Sequence, residues 1–79
     1  MEKPSSATKS FRIGNFNQVK AIVHYCGTVV GEVIATDARG STADAKSLLS
    51  MMSLNYSRPI TIEAESDKVI TGIRNILSY

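Results

Sequence analysis

Seventy-nine residues, 43% of them apolar, with a net charge of +2, make one domain near the lower size at which a core folds without a metal or disulfides. The single cysteine, Cys26, excludes an internal disulfide, and with one histidine, His24, a structural zinc site is out of reach. No apolar run nears the roughly 20 residues that span a bilayer, and no charged start leading into an apolar stretch marks a signal peptide, so a cytoplasmic protein without a membrane partner is expected.

Residues 1–28 carry four basic side chains against Glu2 alone, while residues 29–79 carry five basic and six acidic ones. The positive part includes a polar tail and lacks an aromatic–basic cluster, so direct nucleic-acid binding is not expected.

Residues 1–9 (MEKPSSATK) have no hydrophobic period and read as a flexible tail, leaving 10–79 as the domain. Ser10 to Asn15 alternates Phe11 and Ile13 with Arg12, a short first strand with one buried face. In the following helix Val19, Ile22, Val23 and Cys26 fall at i, i+3, i+4 and i+7. Asn15 or Asn17 can cap its start and Gly27 its end. Gly31 to Asp37 is the second strand, Ala38-Arg39-Gly40-Ser41 a tight turn, and Ser41 to Ala43 a brief third strand. A second helix is expected from about Ala45 to Asn55. Pro59 opens a fourth strand in which Ile60, Ile62 and Ala64 alternate with Thr61, Glu63 and Glu65. Ser66 and Asp67 start the last helix, whose stripe is Val69, Ile73, Ile76 and Leu77. Gly72 within it costs roughly 1 kcal/mol relative to Ala. The order β-α-β-β-α-β-α predicts an α+β fold: a four-stranded antiparallel sheet with three helices on one face and an open second face.

The second helix holds more apolar residues than one core-facing stripe can use. At about 100° per residue, Leu48, Leu49 and Met52 cluster on one side while Met51 and Leu54 sit on another. One cluster can face the sheet and the other looks outward as a partner-binding patch, unless a tilt of the helix buries more of it. Ser47 stands where an N-cap belongs.

Ala45-Lys46-Ser47, two apolar residues, a small one, and then Met51-Met52-Ser53-Leu54 is similar to the AKSIMGLMSLG segment of HPr, the histidine phosphocarrier of the bacterial sugar phosphotransferase system. The resemblance spans about residues 10–79 and implies an open-faced sandwich with strand order 1-4-2-3. It also implies that Leu48, Leu49, Met52 and Lys46 belong to a protein-binding surface. The partners would be HPr kinase, a transcriptional regulator or phosphotransferase proteins, and the state a monomer or weak dimer. The family segment close to GLHARPA is missing. Counting back from Ser47 without gaps places Phe16 at the phosphorylated histidine, Gln18 at the phosphate-holding arginine and Val19 at the proline, and the preceding loop is about four residues shorter.

Histidine phosphocarrier chemistry is therefore not expected, and the resemblance implies a regulatory relative modified at Ser47. The plain alternative for Ser47 is a helix cap alone. His24, with Lys20 one turn away, is an alternative phosphoacceptor for a residual carrier. A third reading is an HPr-fold binding module unrelated to sugar transport. Glu63 and Glu65 read as solvated charges and Cys26 as core. No glycine-rich phosphate loop and no nucleophile–base set is present. Neither an enzyme, a metal nor a cofactor is expected.

Overall fold

The alternation Ile60-Thr61-Ile62-Glu63-Ala64 becomes the central strand of the molecule. The computed structural model describes residues 7–77. In chain order they form β1 (Ala7–Phe11), α1 (Phe16–Cys26), β2 (Val33–Thr36), β3 (Thr42–Asp44), α2 (Leu48–Met51), β4 (Ile60–Ala64) and α3 (Asp67–Leu77). The sheet is four-stranded and antiparallel, ordered β1-β4-β2-β3. This is the α+β architecture and strand order expected from the sequence.

Register decides which side chains meet. Ala7 pairs with Ala64 and Phe11 with Ile60 across β1 and β4, while Val33 and Ala35 of β2 face Ala64 and Ile62. The period of two in β-strands puts these on one face. There they join Val19, Ile22 and Cys26 of α1, Met51 of α2, and Val69, Ile70 and Ile73 of α3 in a single core. Full burial of each large aliphatic side chain contributes about 1.5–3 kcal/mol. On the other face Ser10, Thr61, Thr36 and Thr42 form one row and Thr8, Glu63, Ile34 and Asp44 the next. Ser10 and Thr61 share a hydrogen bond of 3.1 Å.

The boundaries of β1 and α2 differ most from the sequence reading, while β2 is shorter than Gly31 to Asp37 and β3 runs one residue later than Ser41 to Ala43. β1 begins at Ala7, so Ala7, Thr8 and Lys9, read as tail, are strand; residues 1–6 lie outside the described residues. It ends at Phe11, and Ile13, though 4% exposed, belongs to the loop that follows. α2 has only four residues, not the eleven expected from Ala45 to Asn55. Its start is shortened because the Ala45 N–H donates to Val33 O (2.9 Å), which keeps that residue with the sheet. Its end tightens into i→i−3 bonds, Ser53 N–H to Ser50 O (3.1 Å) and Leu54 N–H to Met51 O (3.3 Å), and the Asn55 N–H then leaves the helix for the Asp37 carboxylate (2.9 Å).

Two glycines have roles that follow from shape. Gly40 closes the β2–β3 turn at φ +89°, where an L side chain is strained. Gly72 lets α1 approach α3, because a Cβ there would overlap the Tyr25 ring and hydroxyl. Both helices otherwise follow their stripes. Val19, Ile22 and Cys26 are buried in α1, and in α3 Ile70 joins Val69 and Ile73 while Ile76 and Leu77 are only partly covered.

Candidate functional site

α2 sorts its apolar residues into two sets. Met51 is fully buried and Leu54 is 6% exposed, whereas Leu49 is 80% and Met52 55% exposed. Leu49 and Met52 are three positions apart and share a side of the turn. Leu48, beside them, is half-buried and leans on the core. The outward set is therefore Leu49 and Met52 with Leu48 at its base. Burial of the other set follows from Met51 pointing under the turn, where it fills space between helices and sheet.

Ser47 has extended backbone (φ −115°, ψ 116°), and its Oγ accepts the Ser50 N–H at 3.3 Å, the geometry of an N-cap. Lys46, expected on the binding surface, is not free to join it. Its ammonium donates to Val29 O at 2.6 Å and ties the entry of α2 to the chain just beyond α1.

The start of α1 supplies the rest of the surface. Asn15 caps the helix through its side chain, which accepts the Gln18 N–H at 2.9 Å. The Gln18 side chain turns back to accept the Gly14 N–H at 2.6 Å. Phe16, the first residue of the helix, is 49% exposed, and the Lys20 ammonium sits over its ring 5.6 Å from the centroid. Phe16 and Met52 line one groove of about 420 Å³ with Arg12, Ile13, Val19 and Tyr56. Sequence reasoning names Phe16 and Met52 separately without bringing them together, and it does not single out Arg12 or Tyr56. Tyr56 is held by donation from its hydroxyl to Met51 O, a pairing across a loop that no local pattern announces.

His24 is exposed in the last turn of α1, two turns from the helix start where Phe16 lies. It does not line the groove.

Two other titratable groups are structural. Asp37, 4% exposed, accepts the N–H groups of Arg39 (2.9 Å), Ser41 (3.0 Å) and Asn55. The Asn55 hydrogen bond outweighs burial, and with the Ser41 and Arg39 bonds it holds the carboxyl below the usual range. The Arg39 guanidinium lies 3.7 Å away. Burial pushes the Cys26 thiol up to about 11, with Lys46 opposing and Asp44 adding to the shift, so the thiol is protonated and inert at neutral pH. Among the described residues, no group of three or more His, Cys, Asp or Glu side chains is placed to hold a metal ion. No helix among them is long and apolar enough to cross a membrane.

Compared with known proteins, the chain matches no protein-family model and no curated protein.

Proposed function

We propose that this chain is a non-catalytic, HPr-like adaptor or regulatory protein related to the sugar phosphotransferase system, one that docks on a protein partner and does not carry phosphate on histidine. The observation that carries the docking reading is the exposure of Leu49 and Met52 beside the half-exposed Phe16. Folding leaves these three side chains in water although Met51, in the same turn as Leu49, is fully covered. Covering each on a partner contributes about 1.5–3 kcal/mol before ordering costs. Leucine and methionine suit a surface that adapts to its partner.

The loss of carrier chemistry rests on Phe16. An aromatic hydrocarbon has no atom that can accept a phosphoryl group, and it occupies the helix start where the resemblance puts the nucleophile. Phosphorylation of Ser47 is the regulatory part of the proposal. A helix of four residues has almost no dipole to receive the phosphate. The added charge would act instead by hydrating the edge of the apolar patch next to Leu48.

The test is mass spectrometry after separate incubation with HPr kinase plus ATP and with enzyme I plus phosphoenolpyruvate, alongside affinity capture with the wild type and with Leu49→Ser/Met52→Ser. A partner captured by the wild type and lost with the double variant is the expected result, with no phosphohistidine. Phosphate on Ser47 from the kinase adds the switch. Phosphate on His24 from enzyme I overturns the non-carrier reading, and capture indifferent to the double variant overturns the docking surface.

A further inference from the structure

The groove between the start of α1 and the end of α2 differs in character from the exposed ridge beside it. Its volume of about 420 Å³ falls within the roughly 300–1,000 Å³ range of small-molecule sites. Ile13, Val19, Phe16 and Met52 give it apolar walls, and its lining contains one charged side chain, Arg12, with no carboxylate.

Several of the other polar groups of the lining are already engaged. Asn15 Oδ1 accepts the Gln18 N–H, the Gly14 N–H donates to Gln18 Oε1, and the Tyr56 hydroxyl donates to Met51 O. The sole ion pair among the described residues joins Arg39 to Asp37, so within that set the Arg12 guanidinium has no carboxylate partner. An apolar hollow whose one charged group is a guanidinium selects an apolar body with a single anionic end. A neutral apolar ligand would forgo the charge contact, and a multiply charged one would bring uncompensated charge against Phe16 and Met52.

We propose that this groove binds a small amphipathic monocarboxylate, with the aliphatic or aryl body against Ile13, Phe16, Val19 and Met52 and the carboxylate on Arg12. The ligand shares Phe16 and Met52 with the docking face, yet its binding is measured on the protein alone, so failure here leaves the docking proposal standing and the reverse also holds.

The experiment is an NMR titration of isotopically labelled protein with octanoate and, separately, with neutral 1-octanol, repeated on Arg12→Gln and Met52→Ser. Octanoate should give saturable shifts confined to Arg12–Val19, Met52 and Tyr56. Arg12→Gln should weaken octanoate roughly fivefold, the scale of an exposed charge contact, and leave octanol unchanged. Met52→Ser should weaken both. Non-saturating octanoate shifts, shifts spread over the open sheet face, or equal binding of octanoate and octanol with no effect of Arg12→Gln would overturn the proposal.

Discussion

At the residue scale, Asp37 does more for the loops than its place in a turn suggests. One carboxylate oxygen closes the β2–β3 turn through the Arg39 and Ser41 N–H groups, and the other receives the Asn55 N–H from 18 residues away. Because its folded pKa lies below its unfolded value, the stabilisation it gives is complete above the ordinary carboxylate value of about 3.9. It is lost as pH falls through the lower folded value. Cys26 works at the other limit. Its folded pKa is raised, so its contribution is complete below the unfolded thiol value and is lost as pH rises toward about 11. Denaturant melts across pH should show a plateau between these limits. Asp37→Asn should lower that plateau, because an amide nitrogen facing Asn55 N–H repels it, and should flatten the acid limb. An acid limb unchanged in the variant would remove Asp37 from this role. Ser47→Ala loses a cap with a long 3.3 Å bond, so the cost should sit near the low end of the usual range, about 0.5 kcal/mol. A loss well above 1 kcal/mol in urea melts would mean that Ser47 does more than cap.

At the element scale, β4 and the two long helices were legible because their apolar periods are unbroken, Ile60-Ile62-Ala64 for the strand and Val19-Ile22-Cys26 for the helix. α2 was not, because its end tightens into i→i−3 bonds and the chain beyond is drawn to a carboxylate distant in sequence. Local pattern holds no trace of the Asp37–Asn55 bond, so an eleven-residue helix was the natural reading of residues 45–55. β1 was mis-bounded for the opposite reason: Thr8, Lys9 and Ser10 are all exposed, so an edge strand reads as a polar tail. The split of α2 into Leu48/Leu49/Met52 and Met51/Leu54 was visible in the helical angles, but which set faces outward was implied only by the resemblance. That split predicts a contrast. Leu49→Ser and Met52→Ser should each change stability by less than about 0.5 kcal/mol, whereas Met51→Ala should cost about 2–5 kcal/mol. Equal losses in thermal melts would mean that the ridge is packed. Gly72 was read as a propensity defect, and its contact with Tyr25 gives it a reason. Gly72→Ala should destabilise the wild type by about 1–2 kcal/mol, as crowding does. In a Tyr25→Ala background it should stabilise by up to about 1 kcal/mol. Stabilisation in both backgrounds would show that the ring moves aside.

At the scale of the whole molecule, the order β1-β4-β2-β3 joins the two ends of the domain, since Ser10 on β1 meets Thr61 on β4 across 51 positions. No hairpin links these strands, so β1 contributes only once the rest of the sheet exists. Either β1 peels away alone or its loss opens the whole core. Cys26 distinguishes the two, being 0% exposed in the same core as Phe11 and reactive only when that core opens. Phe11→Ala should cost about 3–5 kcal/mol, a large share of the roughly 5–15 kcal/mol that holds a domain folded. If opening is global, the Cys26 labelling rate by a thiol reagent at pH 8 should rise in the variant by about two to three and a half orders of magnitude, one for each 1.4 kcal/mol. If β1 frays independently, its amides should lose hydrogen-exchange protection while Cys26 labelling stays at the wild-type rate. We expect the first outcome. Phe11 and Ile60 pair directly in register, and removing the ring exposes the fully buried Ile60 and Ile62 on a newly bare central strand, which leaves no smaller folded unit with a covered core.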